Sequence, residues 1–357
     1  MSRAAGIVVV LLAAALAGCV APADAPAPDS AAPAALLRPL SVPAFDGARF
    51  VAELEAFVDA FPQRQHNLPD HLGSRDALAV ALAEAGLAVW RQSFEGSRVP
   101  GENVCGLAIG LVEPTAWIIV GAHFDTITTG ERRLGATSPL AAASQGAYDN
   151  GAGTRIVLEL ARAFARQDLP RSVAFCFFDL EEWGLEGSEA IHRAIRPGSA
   201  SFPHAVERVH AMLNFDMFGI VWPVRTPVVA ITNSETLFAF GREAARAAAV
   251  PEDLYVRGSG NDVGGSDHEH WIEEGVPTLY FSSQFDHLGA PTPVPHPFPV
   301  PYTPVGAYPF WHQADTMETL TAMAGGPDML RASFVTALAV SAGTLAQALQ
   351  ADALDPR

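Results

Sequence analysis

The chain has 357 residues, 49% of them hydrophobic and 17% charged, a composition that excludes an intrinsically disordered protein. All 22 basic residues are arginines, and against 39 acidic residues they give a formal net charge of −17. Because so acidic a protein repels phosphate backbones, we expect no nucleic-acid partner. The three cysteines include no C-x-x-C pair, which excludes a disulfide-rich scaffold and a zinc knuckle.

The N-terminus has the features of an export signal. Arg3 precedes an apolar run over residues 6–17, which is too short for a membrane span and suits the core of a signal peptide. The run ends in Leu-Ala-Gly-Cys over residues 16–19, which resembles the lipobox of bacterial lipoproteins. The resemblance implies removal of residues 1–18 and a lipid on Cys19, which anchors the protein to the cell envelope, at the periplasmic face of the outer membrane. The alternative is an ordinary signal peptide beside a chance cysteine.

The remaining chain divides into a tether and one domain. Residues 19–44 are rich in alanine and proline, a composition typical of an extended tether. Over residues 45–350, helical periodicity alternates with short apolar runs, which predicts a single α/β domain with a mostly parallel mixed sheet flanked by helices. In chain order, we predict helices around 51–61 and 78–82, strands over 103–109 and 117–120, a helix over 151–167, strands over 172–178, 209–215 and 228–232, a helix over 235–248, a strand over 278–282 and a helix over 328–349. Eight prolines between residues 284 and 311 interrupt the pattern and predict a long functional or disordered loop.

Two cysteines remain inside the domain. Cys105 and Cys176 both lie in apolar, strand-like segments. This position favours two buried free thiols. A disulfide between them is the alternative in an oxidising compartment.

Residues suited to metal chemistry follow successive predicted strands. In an open α/β sheet, ligands bind at the carboxyl ends of the strands. His123 and Asp125 follow the strand over 117–120 and share a face of the extended chain, and the neighbours Glu181 and Glu182 follow the strand over 172–178. The other candidates are Asp149 at the start of a predicted helix, Asp216 after the strand over 209–215, and His312 beyond the proline-rich loop. Singly, each also fits a structural role such as a helix cap. Together, two imidazoles and several carboxylates favour a pair of zinc ions that share one carboxylate.

The ordered motifs resemble the M28 family of zinc aminopeptidases over roughly residues 50–347. The motifs are His123-x-Asp125, Asp149-Asn150-x-Ala152-Gly153, Glu181-Glu182, Asn214-x-Asp216, Ser266-Asp267-His268 and His312-Gln313-Ala314-Asp315-Thr316. The resemblance implies a zinc-aminopeptidase-like (phosphorylase/hydrolase-like) fold that binds two zinc ions per chain.

The resemblance also implies the two ligand sets. One zinc ion would be held by His123, Asp149 and Asp216. The other would be held by Glu182, His312 and the shared Asp149.

Two further residues receive catalytic roles from the resemblance. Glu181 would be the general base, and Asp125 would be the second catalytic acidic residue. Family members often have an aspartate before the shared one, where this chain has Tyr148. They also often have a cis peptide bond after the shared aspartate, which here is Asp149.

These inferences predict an exported, zinc-dependent aminopeptidase that hydrolyses the N-terminal bond of peptides with a free N-terminus, with Glu181 as general base. One alternative is a glutaminyl cyclase, which shares the fold and many acidic and histidine positions but cyclises an N-terminal glutamine. The number of bound zinc ions distinguishes the two. A non-catalytic binding module on the same fold is the other alternative. Its mark would be a missing ligand or base, and the motifs lack neither.

Overall fold

A computed structural model describes residues 37–66, 68–127, 144–258, 265–283 and 315–354. In chain order its helices and strands are α1 (Gly47–Ala60), α2 (Pro69–Glu84), β1 (Ala88–Glu95), β2 (Pro100–Ala108), β3 (Glu113–His123), α3 (Gly153–Phe164), β4 (Arg171–Phe178), α4 (Glu186–Ala194), β5 (Arg208–Phe215), β6 (Val228–Thr232), α5 (Glu235–Ala247), β7 (Tyr255–Arg257), α6 (Glu269–Glu273), β8 (Thr278–Ser282), α7 (Met317–Met323) and α8 (Pro327–Gln350). A kinked segment over Ala147–Ala152, whose backbone is not helical at Asp149 and Asn150, leads into α3. The predicted strands and helices are confirmed, with ends shifted by a few residues except in α2, which begins at Pro69, nine residues before the predicted start.

The strands form one mixed sheet in the order β1-β2-β4-β3-β5-β8-β6-β7. β3 is parallel to β4 on one side and to β5 on the other, and β5 is parallel to β8. The antiparallel pairs are β1 with β2, β2 with β4, and β6 with β8. Because β3, β4, β5 and β8 run in the same direction, their carboxyl ends meet at one edge of the sheet, where ligands bind in α/β proteins.

The sheet is covered on both faces, which explains its long apolar strands. In β3, Ile118 and Val120 belong to the core that includes residues of α1, α2, α3, α5 and α8. Trp117 and Ile119 point the other way, into a smaller core that includes residues of α4 and α6. β4 is buried along its whole length, as a continuous apolar run predicts for a central parallel strand.

Of the described helices, α8 alone is long and apolar enough to cross a membrane. In its most apolar stretch, 72% of the residues are buried inside the domain, where the helix packs against α1 and α5. It therefore serves as a core helix of the domain.

Cys105 and Cys176 form a disulfide bond, so the expectation of two free thiols is wrong. β2 pairs antiparallel with β4 in a register that places the two cysteines directly opposite each other, with 4.1 Å between their Cα atoms. Apolar runs in a sequence give no sign of which strands are neighbours, and for that reason the sequence did not reveal this pairing.

The chain before α1 lies against the end of α3. Arg38 forms an ion pair with Asp168 at 2.8 Å, and Ser41 exchanges two hydrogen bonds with Gln167. The predicted signal peptide, Cys19 and the tether up to residue 36 lie outside the described residues.

Candidate metal centre

The candidate site lies at the carboxyl edge of the sheet, as predicted. His123 is the last residue of β3, and Asp216 directly follows β5. Glu181 lies in the turn after β4, and Asp149 lies in the kinked segment before α3. His312 falls outside the described residues, as does the proline-rich loop over 284–311.

The described ligand candidates converge on one imidazole nitrogen. His123 Nε2 lies 3.2 Å from Asp149 Oδ1, 3.5 Å from Asp216 Oδ1 and 3.9 Å from Glu181 Oε2. His123, Glu181 and Asp216 each offer a ligand atom, and these three atoms lie within 4.8 Å of one another. The Glu181 carboxylate is the most accessible of the four side chains, at 11% exposure.

Asp125 orients the imidazole. His123 Nδ1 lies 3.2 Å from the Asp125 carbonyl oxygen and 3.4 Å from its Oδ1, so Nδ1–H faces acceptors only. In its metal-binding, neutral form the ring then has its lone pair on Nε2, which points at the carboxylates. Metal-bound histidines have this arrangement, with the second ring nitrogen donating to a carboxylate or carbonyl.

The two carboxylate oxygens of Asp216 differ in their hydrogen bonding. Ser266 Oγ donates to Asp216 Oδ2 at 2.8 Å, and Asn214 Nδ2 donates to Ser266 Oγ at 2.8 Å. Asp216 Oδ1 is buried and has no hydrogen-bond donor among the described residues. A buried oxygen in this state is what a cation would satisfy.

The backbone around Asp149 is fixed by a distant carboxylate. The amides of Tyr148 and Asp149 both donate to Asp315, at 2.8 Å each to Oδ1 and Oδ2. The Asp149–Asn150 peptide bond is cis, as the resemblance implies. Asn150 Nδ2 donates to the Phe215 carbonyl at 2.9 Å, which ties this segment to the strand that leads into Asp216.

Glu181 and Glu182 are held through their backbone. Their amides donate to Asp125 Oδ1 and Oδ2 at 3.2 and 3.3 Å. Asp125 therefore contacts both the imidazole and the glutamate pair. The assignment of Glu181 as base and Glu182 as ligand stays a prediction, which mutation of each residue can test separately.

The electrostatics of the centre show an excess of negative charge. Burial lowers the pKa of the His123 imidazole, but Glu181 and Asp216 raise it by more, to well above its ordinary value. Burial raises the pKa of Glu181 well above its ordinary value, although His123 opposes the shift. Burial likewise raises the pKa of Asp267 to about 8. In this buried position the carboxylates disfavour one another's charge, and a divalent cation would stabilise their charged forms.

The donor set fits zinc. One imidazole and several carboxylates are ligands that zinc accepts, and they are buried at a sheet edge with their free atoms convergent. In the described part of the chain, no arginine forms an ion pair with Asp125, Glu181 or Asp216. The fold and the site thus define an α/β protein with a candidate metal centre at the carboxyl ends of its parallel strands.

The chain belongs to peptidase family M28, whose family model matches residues 107–324. It is 26% identical over 216 residues to leupeptin-inactivating enzyme 1 from Streptomyces exfoliatus, covering 60% of this chain and 43% of that protein. It is 33% identical over 138 residues to leucine aminopeptidase 1 from Phaeosphaeria nodorum, covering 37% of this chain and 29% of that protein. The chain thus spans less than half the length of these curated relatives.

Solved structures share the fold at low identity. A zinc aminopeptidase from Bacillus subtilis superposes with a TM-score of 0.61 at 16% identity, over 88% of this chain and 97% of that one. A glutaminyl cyclase from Tannerella forsythia superposes with a TM-score of 0.59 at 22% identity, over 84% of this chain and 99% of that one. Both kinds of enzyme therefore have the fold of this chain.

Three residues that shape the site received no role from the sequence. Ser266 and Asp315 were quoted inside motifs without a role, and the structure shows them holding Asp216 and Asp149. Arg64 was not singled out at all, although it is fully buried beside the site. No periodicity or spacing marks Arg64, since it lies in a connection between two helices.

Proposed function

We propose that this chain is a zinc-dependent aminopeptidase. The observation that supports it best is the convergence of Asp149, Asp216 and Glu181 on His123 Nε2, in a chain of the M28 family. An acidic, buried centre also attracts the ammonium group at a free peptide N-terminus, which a blocked or internal peptide bond does not present.

The proposed metal arrangement has two ions per chain. His123, Asp149 and Asp216 would hold one zinc ion, and Glu182, His312 and the shared Asp149 would hold the other. Bound zinc supplies Lewis-acid chemistry, which polarises the substrate carbonyl and makes water a better nucleophile.

The protein's own residues handle orientation and protons. Asp125 fixes the His123 ring and the backbone of the glutamate pair. Glu181, which keeps some exposure, takes a proton from the attacking water and passes it to the nitrogen of the leaving amine. Burial has raised the affinity of this carboxylate for protons, which suits a group that accepts and then returns one.

Glutaminyl cyclisation is the second candidate, favoured by the structural likeness to bacterial glutaminyl cyclases. That likeness concerns the fold alone. A cyclase would take the same N-terminal ammonium end but would consume no water.

One assay separates the candidates. Purified protein is offered a panel of aminoacyl anilides, the same compounds with an acetylated N-terminus, and a peptide that begins with glutamine. We expect release of aniline from the free compounds only, and loss of the reaction with a chelator. Ring closure of the glutamine peptide without hydrolysis of any anilide would establish the cyclase instead.

We further propose that the protein is exported and anchored by a lipid on Cys19. The Cys105–Cys176 disulfide supports export, because disulfides persist in oxidising compartments. A Cys19→Ser variant should leave the membrane fraction and be recovered as soluble protein. Membrane association equal to that of the parent would contradict the lipid anchor.

A further inference from the structure

Arg64 makes an unusual set of contacts beside the metal centre. It lies between α1 and α2 and is fully buried. Among the described residues its guanidinium donates only to backbone carbonyls: from Nε to Phe124 at 2.7 Å, from Nη1 to Phe61 at 3.1 Å and Gln145 at 2.8 Å, and from Nη2 to Gly146 at 2.8 Å. A buried charge is costly unless its hydrogen bonds are satisfied, and here four carbonyls satisfy them.

Three of the four contacted carbonyls belong to the two stretches of chain that carry His123 and Asp149. Phe124 lies between His123 and Asp125, and Gln145 and Gly146 lead directly into the segment that carries Asp149. The guanidinium therefore bridges two stretches of chain that are separated by about twenty residues in sequence. The amide of Thr126 donates back to the Arg64 carbonyl at 3.2 Å, which closes the contact from the other side.

The close approach depends on a glycine. Gly146 has a φ of +57°, and a Cβ on it would lie 2.3 Å from Thr126 Cγ2 and 2.8 Å from Arg64 Nη2. A side chain here would push the two stretches apart. On the far side, Asp315 accepts the Tyr148 and Asp149 amides, and its carbonyl accepts the Gln145 amide at 2.7 Å.

We propose that Arg64 is a positioning residue that sets the distance between His123 and Asp149. The short distance of 3.2 Å between His123 Nε2 and Asp149 Oδ1 is kept by the guanidinium, which fixes the backbone next to both ligands. Lysine would not replace it, because a single ammonium group lacks the planar fork that reaches carbonyls in several directions. The inference rests on the proposed zinc site but is independent of which reaction the site performs.

The test measures zinc affinity in Arg64→Lys and Arg64→Ala variants. Competition with a chromophoric chelator gives the Kd without any activity assay. We expect zinc to bind on the order of 10–100-fold more weakly than in the parent, as for other residues that orient ligands. The Co²⁺-substituted parent and variants should also differ in visible absorption, because the ligand geometry changes.

The matched control is Arg155→Met. Arg155 in α3 is also nearly buried, but it pairs with Glu53 and forms no ion pair with a ligand among the described residues. We expect this variant to lose stability while its zinc Kd stays that of the parent, which separates positioning from general destabilisation.

Guanidinium ion offers a rescue. In Arg64→Ala, millimolar guanidinium chloride should restore zinc affinity by filling the space with the same planar donor, whereas urea or sodium chloride should not. If Arg64→Ala fails to fold, the Arg64→Lys result decides the question.

The outcomes separate the two claims. A parent protein that binds no zinc would overturn the proposed function. If the parent binds zinc and Arg64→Lys has the same zinc Kd as the parent or as Arg155→Met, the proposed role of Arg64 is wrong. The proposed function would then still stand.

Discussion

Two clusters of acidic side chains meet near α3, and they are neutralised in different ways. Between α1 and α3, Glu53 and Glu159 face Arg49, Arg155 and Arg162, with ion-pair distances that include 2.5 Å for Arg49–Glu159 and 2.6 Å for Arg162–Glu53. Each of these carboxylates has at least two guanidinium partners. This cluster carries its own counter-charge.

The metal centre has no such balance. Asp149, Asp216 and Glu181 converge on a single imidazole, and in the described chain Asp216 and Glu181 pair with no arginine. The cluster between α1 and α3 thus has arginine partners for each carboxylate, whereas Asp216 and Glu181 in the metal centre have none in the described chain. Carboxylates that converge without an arginine partner of their own suit this site to a cation.

The largest expected effect concerns Glu181. Glutamine has nearly the same shape but accepts no proton, so Glu181→Gln should lose turnover on the order of 10²–10⁴-fold while zinc content is unchanged. Glu182→Gln is the matched variant, and it should lose zinc affinity and regain activity in excess metal. Both kcat and metal content are measured on each protein. The reverse pattern would exchange the two roles, and full activity of Glu181→Gln would contradict the mechanism.

Bound zinc should stabilise the fold, because its positive charge offsets the repulsion among the carboxylates of the metal centre. At free zinc 100- to 1,000-fold above Kd, binding adds about 3–4 kcal/mol to the free energy of unfolding, or about 5–10 °C in Tm. Thermal unfolding with and without a chelator measures the shift, and elemental analysis should give close to two ions per chain. His123→Ala should reduce the shift. If neither zinc nor a chelator changed the Tm of the parent, the acidic centre would not be a metal site.

In the balanced cluster, removal of one arginine should cost less. Arg155→Met leaves Glu53 with Arg49 and Arg162, so we expect a loss of about 1–3 kcal/mol of unfolding free energy, measured by denaturant titration. Zinc content and kcat should not change. A loss of zinc in this variant would show that the two clusters are coupled.

The smallest effect is acid sensitivity of the balanced cluster. Burial raises the pKa of Glu53, but Arg162, Arg155 and Arg49 lower it by more, so the folded-state pKa lies below the ordinary 4.5. A carboxylate with a lowered pKa stabilises the fold at neutral pH, and that contribution is lost as pH falls through the folded-state value. The Tm difference between the parent and Glu53→Gln should shrink as pH falls below about 4.5. A difference that is constant from pH 7 to pH 3 would contradict the ion-pair account.

The sequence predicted those features that depend on residues close together in the chain. The strands β4, β6 and β8 are compact apolar runs and were predicted to within one residue, and the helix α8 was predicted equally well. The edge strand β1 was not predicted, because it contains the polar residues Arg91, Gln92 and Ser93 and therefore has no continuous apolar run. The described ligand candidates could be found because each lies at or shortly after the end of a strand, or shortly before a helix.

Contacts between distant segments escaped the sequence. The Cys105–Cys176 bond depends on which strands are neighbours, and no local pattern encodes that. Arg64 acts on carbonyls up to 82 positions away, and carbonyls are present at every residue, so nothing in the sequence identifies its partners.

The disulfide also closes a covalent ring that contains part of the site. Its cysteines are 71 positions apart, and the ring encloses β3, His123, Asp125 and Asp149. In the chain-entropy description, a ring of this size adds about 4 kcal/mol by restricting the unfolded chain. A protease that cuts once between residues 105 and 176 therefore releases no fragment. The two pieces stay joined, migrate as one band without reductant, and keep both halves of the centre in one molecule.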